Sequence, residues 1–308
     1  MYLGLDFLVD GAGRPRLIEA NVGLPGGAEE YDRTHRVRLG TPSGVFDRIE
    51  ALSLRTHGRP FRDYIASLPF LSGLKALKLW MDGCGPFPED CHPALRLEDK
   101  WVQYQVLSYV VPMPETAVFD PSMPAEASRF LETHRRVVLK RRLGRGGRDL
   151  KVISRPEELP AAAPGPYGVL LQEHVDSRVD GYAFSLRSVA FAGEWICLYA
   201  NLAPRPPSNH GVLAYVAEGD GPRLSAASFD AVRFDDRSWE AAIWFGRDEP
   251  AYLRHNLYED WVATAAVLLP GPLLREVREL SVRVERLYDG LDPGALPKAW
   301  FETHPGGR

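Results

Sequence analysis

Cysteine is scarce in this 308-residue chain: Cys84, Cys91 and Cys197 are the only three. An odd number without framework spacing excludes a disulfide scaffold and suits a reducing compartment. Cys84, Cys91 and His92 lack a Cys-x₂-Cys pairing and a fourth ligand nearby, so they make a poor zinc site. Long apolar runs are missing as well. No stretch reaches the roughly 18 residues a membrane helix needs. Asp6 interrupts the first apolar run and no charged n-region precedes it, so the N-terminus does not read as a signal peptide. A cytoplasmic protein without membrane contact is expected. No Gly-Lys-Ser/Thr phosphate loop, Gly-x-Gly-x-x-Gly turn or Gly-x-Ser-x-Gly elbow occurs. Internal repeats and low-complexity segments are absent, and the eight histidines are scattered, with none where a catalytic triad would be argued. Lysine is rare too, 6 against 31 arginines. Thermostable proteomes are enriched in Lys and Glu, so this reads as coding bias and makes each lysine informative.

What is present describes an ordinary globular protein, 45% hydrophobic and 25% charged, with a net charge of −4 that calls for neither nucleic acid nor an anionic membrane. The length allows two or three lobes. Residues 4–23, "GLDFLVDGAGRPRLIEANVG", alternate on either side of a turn and predict a β-hairpin. Mixed, largely helical sequence follows to about residue 80, then a turn-rich connector over 81–94. A helix is expected near 98–107, an extended segment in "VVPMPETAVF", and a short helix over 126–134. "RRVVLKRRLGRGGRDLKVI" reads as strand, glycine loop, strand; "YGVLLQEHV" as a buried strand; "GYAFSLRSVAFAGEWICLYANLA" as two strands. Residues 249–269 and 272–289 read as helices, the second with a stripe of Leu273, Val277, Leu280, Val284 and Leu287. The fold class is α+β with antiparallel hairpins.

Three places could carry chemistry. In the opening hairpin, pairing Asp10 with Pro15 sets Asp6 opposite Glu19, with Asn21 on the same face and Leu8 against Leu17. Facing carboxylates repel unless a cation lies between them. Carboxylates and an amide oxygen are ligands suited to Mg²⁺; the plainer reading is an acidic surface hairpin. Lys140 ends a strand ahead of Gly144, Gly146 and Gly147, where backbone N–H groups can approach a phosphate beside a point charge. A basic hairpin with a flexible turn accounts for it equally. Seven of the fourteen residues from Arg135 to Arg148 are basic, which suits nucleic acid, but no interleaved aromatic offers a stacking face. Gln172, Glu173, His174 and Val175 end a buried strand, and Asp180 follows. This resembles a nucleotide hinge whose backbone meets adenine and whose acidic residue meets ribose, or else a strand end with solvated charges.

Together these motifs resemble the ATP-grasp carboxylate–amine ligases. In most members a "DK" helix, lysine strand, glycine loop, adenine hinge and arginine strand precede a terminal metal hairpin. Here the same cyclic order holds with the hairpin first, as in the circularly permuted group that includes relatives of glutathionylspermidine synthase. "IEANVGLPGGAEEYDR" is similar to that group's hairpin, Pro-Gly turn and tyrosine. The motifs cover residues 1–35 and 98–211, and no amidase region accompanies them.

The resemblance implies an ATP-grasp fold with antiparallel sheets sandwiching the nucleotide. It divides the chain into a large lobe of 1–45 plus 179–308, a helical connecting region of 46–115 and a lid region of 116–178. Helix 272–289 should then pack beside the strand at residues 3–10. Lys100 and Lys140 would contact ATP phosphates, with Gly144, Gly146 and Gly147 above them. Gln172, Glu173 and Val175 would meet adenine, and Asp180 the ribose. Asp6, Glu19 and Asn21 would hold Mg²⁺, two ions, replaceable by Mn²⁺. Arg187 would neutralise the transferred phosphoryl group; Arg205, assisted by Asn209, would lie between nucleotide and acceptor. The implied activity joins a small-molecule or peptide carboxylate to an amine through an acyl phosphate, forming ADP. A phosphotransferase on the same fold and a non-catalytic nucleotide-binding protein are the alternatives.

Overall fold

The opening hairpin forms, but its register is not symmetric. Strand β1 (Leu3–Val9) pairs antiparallel with β2 (Pro15–Val22), and Val9 rather than Asp10 lies opposite Pro15. Phe7 therefore faces Leu17, and Leu8 faces Arg16, correcting the expected Leu8–Leu17 pair. A bulge at Ile18 then inserts one extra residue and brings Asp6 opposite Glu19. The expected carboxylate pair thus arises from a shifted turn compensated by a bulge.

The computed structural model describes residues 1–81, 83, 85–88, 91–144, 150–161, 167–203, 211–225, 231–234 and 260–304. Beyond the hairpin come four helices, α1 (Ala28–Leu39), α2 (Val45–His57), α3 (Phe61–Ala66) and α4 (Leu71–Met81). A 3₁₀ turn (Pro93–Glu98) leads into α5 (Lys100–Leu107). Next are β3 (Thr116–Phe119), α6 (Pro124–His134), β4 (Val137–Arg141), β5 (Lys151–Ile153) and β6 (Val169–Glu173). These strands form an antiparallel four-stranded sheet in the order β3-β6-β4-β5. Its core includes Phe119, Leu131, Val137, Leu139, Val169 and Leu171, so α6 closes one face of the sheet.

The chain then builds the larger sheet from β7 (Arg178–Val179), β8 (Tyr182–Phe191), β9 (Glu194–Ala203), β10 (Val212–Glu218), β11 (Arg223–Leu224), β12 (Ala231–Phe234) and β13 (Asp260–Leu269). The order is β11-β13-β10-β9-β8-β1-β2, with β12 on β13 and β7 on β8. The β8–β9 turn uses Ala192 and Gly193, both at positive φ (52° and 76°), the pairing a two-residue hairpin demands. All pairs are antiparallel except β10–β13. Residues 260–269 are therefore a strand and not part of the helix expected over 249–269, whose first eleven positions lie outside the described residues. Val262, Ala263, Ala265, Ala266 and Val267 are all fully buried, so both faces of β13 are covered. Such a strand shows no polar alternation and looks like a buried helix in the sequence.

Helix α7 (Gly271–Gly290) packs on one face of the large sheet, against β8, β9, β1 and β2. The adjacency expected between this helix and the first strand is present. Leu273, Val277, Leu280 and Val284 are buried as their spacing requires, joined by Leu274 and Tyr288, while Leu287 is only partly covered. Each fully buried Leu or Val contributes about 1.5–3 kcal/mol. Ser281 Oγ also bonds Ser188 Oγ across the interface (2.8 Å). The Met1 ammonium meets Glu285 Oε1 (2.6 Å) and Asp289 Oδ1 (2.9 Å) near the helix end. A short helix α8 (Trp300–Thr303) follows. The result is a mixed α+β protein with antiparallel sheets, and no described helix is long and apolar enough to cross a membrane.

Candidate functional site

One row of side chains runs across the large sheet. Glu19 on β2 is opposite Asp6 on β1, Asp6 opposite Arg187 on β8, Arg187 opposite Tyr199 on β9, and Tyr199 opposite Tyr215 on β10. Directly paired residues share a face, so all five project on the side away from α7. The cation required between or beside the carboxylates is supplied by the protein. Arg187 holds Asp6 in a two-point pair, Nε to Oδ1 at 2.6 Å and Nη2 to Oδ2 at 3.0 Å. Asn21 Nδ2 donates to Asp6 Oδ2 (3.3 Å). Burial pushes the Asp6 carboxyl above its ordinary range against the pull of Arg187, and Glu19 adds to the rise. Burial would also raise Glu19, but Lys100, Lys140 and Arg187 together hold it low. Burial disfavours the Arg187 cation too, yet Asp6, Tyr199 and Glu19 together outweigh it and keep the guanidinium charged.

The Gly-Leu-Pro-Gly-Gly turn after β2 fixes this arginine. Arg187 Nη1 donates to the Pro25 carbonyl at 3.2 Å. Gly27 sits at φ 134°, and a Cβ there would lie 2.6 Å from Val189 Cγ2. Gly4 is constrained as well, since its Cβ would lie 2.9 Å from Arg187 Nη1 and from Pro25.

Two lysines approach the row from other elements. Asp99 caps α5 by accepting from Trp101 N (2.9 Å), which makes Lys100 the first helical residue. The Asp99 carboxylate is fully buried and also takes Arg142 (Nη2 to Oδ2, 2.7 Å) and Trp300 N (2.8 Å). Anchored in this way, Lys100 Nζ reaches Glu19 Oε1 (3.2 Å) and the Gly144 carbonyl (2.6 Å). Lys140, on β4, donates instead to Gln172 Oε1 (2.9 Å) and to the carbonyl of the bulged Ile18 (3.4 Å). Thr116 Oγ1 donates to the Pro114 carbonyl (3.0 Å) and accepts from Gln172 Nε2 (2.9 Å), which turns the Gln172 oxygen toward the lysine. Lys140 has no carboxylate within ion-pair distance among the described residues. Burial and the neighbouring Lys100 push its ammonium down to about 7, and Glu19 and Asp6 only partly oppose this.

The remaining expected residues are placed as follows. Glu173 binds Arg16 Nη2 (3.0 Å) and accepts from Glu115 N (3.1 Å), so its side chain ties β2 to the small sheet. The backbone N–H groups of Glu173 and His174 are taken by the Glu115 and Arg136 carbonyls, whereas that of Val175 has no partner among the described residues. Asp180 is exposed in the β7–β8 turn, and its Oδ2 accepts from Leu224 N (2.7 Å). Gly146, Gly147, Arg205, Asn209 and Cys84 lie outside the described residues. The structure therefore brings Asp6, Glu19, Asn21, Lys100, Lys140, Gly144, Gln172 and Arg187 together, and leaves Asp180 apart from them.

Sequence reasoning missed four supports. Asp99 and Arg142 form the buried anchor of α5; the Asp-Lys pair at a helix start was the available signal. Thr116 orients Gln172. Gln103 pairs with both backbone groups of Ala20, accepting from its N–H (3.0 Å) and donating to its carbonyl (2.8 Å), and so fixes β2 between Glu19 and Asn21. Nothing in the local sequence marks that glutamine.

Three basic side chains thus face two carboxylates, and a bound anion would favour the charged form of the third, Lys140. Two carboxylates and an amide oxygen are oxygen donors of the kind Mg²⁺ accepts from protein when phosphates complete its shell. Among the described residues no group of three or more His, Cys, Asp and Glu is placed to hold a metal unaided. The donor set fits a metal that arrives with a phosphate ligand. No protein-family model matches the chain, and no curated protein is similar enough to match it.

Proposed function

We propose that this protein binds Mg-ATP between its two sheets and uses it to join a carboxylate to an amine, releasing ADP and phosphate. The observation that carries the reading is Lys140, a partly buried ammonium held, among the described residues, by neutral oxygens alone beside two charge-paired carboxylates. Such a group gains most from a polyanion. The ATP-grasp resemblance, with its permuted order, supplies the reaction class, and the packing of α7 beside β1 agrees with it.

In this reading Lys100, Lys140 and Arg187 bind and orient the phosphates. Asp6, Glu19 and Asn21 would hold Mg²⁺, which would supply charge neutralisation for the phosphates. Attack by a carboxylate oxygen on phosphorus needs little activation, so positioning and charge carry the catalysis. Arg187 neutralises the group in transfer, and exclusion of water protects the acyl phosphate until the amine displaces phosphate.

The test is thermal unfolding with ATP plus Mg²⁺, ATP plus chelator, Mg²⁺ alone and no ligand, on wild type and Glu19→Ala. Ligand at 100 times its dissociation constant adds about 2.7 kcal/mol. We expect a shift that needs ATP, grows with Mg²⁺ and shrinks in the variant. Mg²⁺ alone should give none, because both carboxylates already hold cations. Absence of any ATP-dependent shift would overturn the reading. Binding without ADP release in the presence of varied carboxylates and amines would favour a non-catalytic nucleotide-binding protein.

A further inference from the structure

We infer that Ser185 and Asn201 contact the ribose of the bound nucleotide, the role that the sequence motif places on Asp180; this rests on the nucleotide reading above. Ser185 on β8 and Asn201 on β9 are direct cross-strand partners. They lie two residues from the Arg187–Tyr199 pair and therefore share its face, roughly 6.5 Å away along the strands. The displacement runs toward the start of β8, the end connected to β7 and to the Glu173–Val175 segment. A nucleotide with its phosphates at Arg187 and its base at that segment passes its sugar over this pair.

The two side chains are half-buried and make no hydrogen bond with any described residue. A serine hydroxyl and an asparagine amide each offer a donor and an acceptor. Vicinal hydroxyls, each a donor and an acceptor, are their chemical complement. Neither side chain is spent on a protein contact among the described residues, so both remain open to a ligand. Asp180 is differently placed. It occupies the β7–β8 turn at φ 46°, followed by Gly181 at φ 85°, is exposed, and spends its carboxylate on Leu224 N. A neutral pair also avoids adding negative charge beside a triphosphate.

The experiment compares dissociation constants of the Mg²⁺ complexes of ATP, 2′-deoxy-ATP and 3′-deoxy-ATP for wild type, Ser185→Ala, Asn201→Leu and Asp180→Asn. Wild type should bind at least one deoxy nucleotide about three- to tenfold more weakly than ATP, the effect of one unmade hydrogen bond. Ser185→Ala or Asn201→Leu should erase that difference by weakening ATP binding while leaving the deoxy nucleotide unchanged. Ser185→Ala removes a single half-buried oxygen and keeps the comparison free of folding effects. Equal affinity for all three nucleotides in wild type would overturn the inference. So would a difference that survives both substitutions and vanishes in Asp180→Asn, which would return the ribose to Asp180 and leave the nucleotide reading standing. Failure of wild type to bind ATP at all would overturn both.

Discussion

The two halves of the site balance charge in opposite ways. On the large sheet Asp6 and Arg187 satisfy each other through two contacts, 2.6 and 3.0 Å. On the small sheet Lys140 meets, among the described residues, only the Gln172 side-chain oxygen and the Ile18 carbonyl. One half is complete at rest; the other lacks negative charge. A partly buried pair that loses one member is strongly destabilised, whereas an unpaired buried ammonium is itself the costly state. The same kind of substitution should therefore act oppositely in the two halves.

The largest effect is expected at the paired half. Arg187→Met leaves Asp6 facing Glu19 without its cation and should lower the unfolding free energy by about 3–5 kcal/mol. Urea unfolding measures this. Adding Asp6→Asn should recover much of the loss, because the residual repulsion goes with the charge. No recovery in the double variant would mean that the arginine acts by packing alone.

Lys140→Met sharpens the contrast. At pH 7 the free protein should be no less stable than wild type, since a thioether of similar length replaces a poorly paired ammonium. Affinity for Mg-ATP should nonetheless fall about 10- to 100-fold, the worth of a charge-assisted hydrogen bond. A clear loss of stability in the free variant would show that the neutral contacts suffice to hold the lysine.

The next effect is a pH dependence. Lys140 titrates at about 7 in the folded chain against an ordinary 10.5. Between these values the unfolded chain carries the extra proton, so stability rises with pH across that window. The rise is at most about 1.4 kcal/mol per pH unit, and below 7 the full penalty remains. Urea unfolding of wild type and Lys140→Met at pH 7, 8 and 9 isolates it as the difference between the two. Identical slopes would mean that the lysine stays charged.

The two halves also differ in how far the sequence disclosed them. The Asp6–Glu19 pairing was legible from alternation, but only because the Ile18 bulge cancelled a one-residue error at the turn. The α7 stripe was legible because one face of a helix repeats at 3–4 residues. β13 was not, because burial on both faces erases the pattern. Lys140 and the glycines after it were visible as a motif. What orients the lysine was hidden, since Thr116 and Gln172 meet only when β3 pairs with β6. The use of the Asp180 carboxylate by Leu224 N, 44 residues away, is likewise a tertiary fact. The sequence named chemical groups; distant contacts decided which are free to act.

Glu173 provides the smallest effect and the finest test of that distinction. The motif offered it as an adenine contact, yet its carboxylate bonds Arg16 and Glu115 N, so only backbone remains for a ligand. The pair with Arg16 is partly exposed, 19% and 30% for the two side chains, which limits its worth to about 1 kcal/mol. Glu173→Gln keeps an acceptor for Glu115 N and removes only the charge. It should lower the unfolding midpoint slightly and leave Mg-ATP affinity within about twofold, a change of roughly 0.4 kcal/mol. A tenfold loss of affinity with unchanged stability would instead require the Glu173 carboxylate to leave Arg16 and engage the nucleotide. The contact joining β2 to the small sheet would then open on binding, and the paired and unpaired halves of the site would separate as ATP enters.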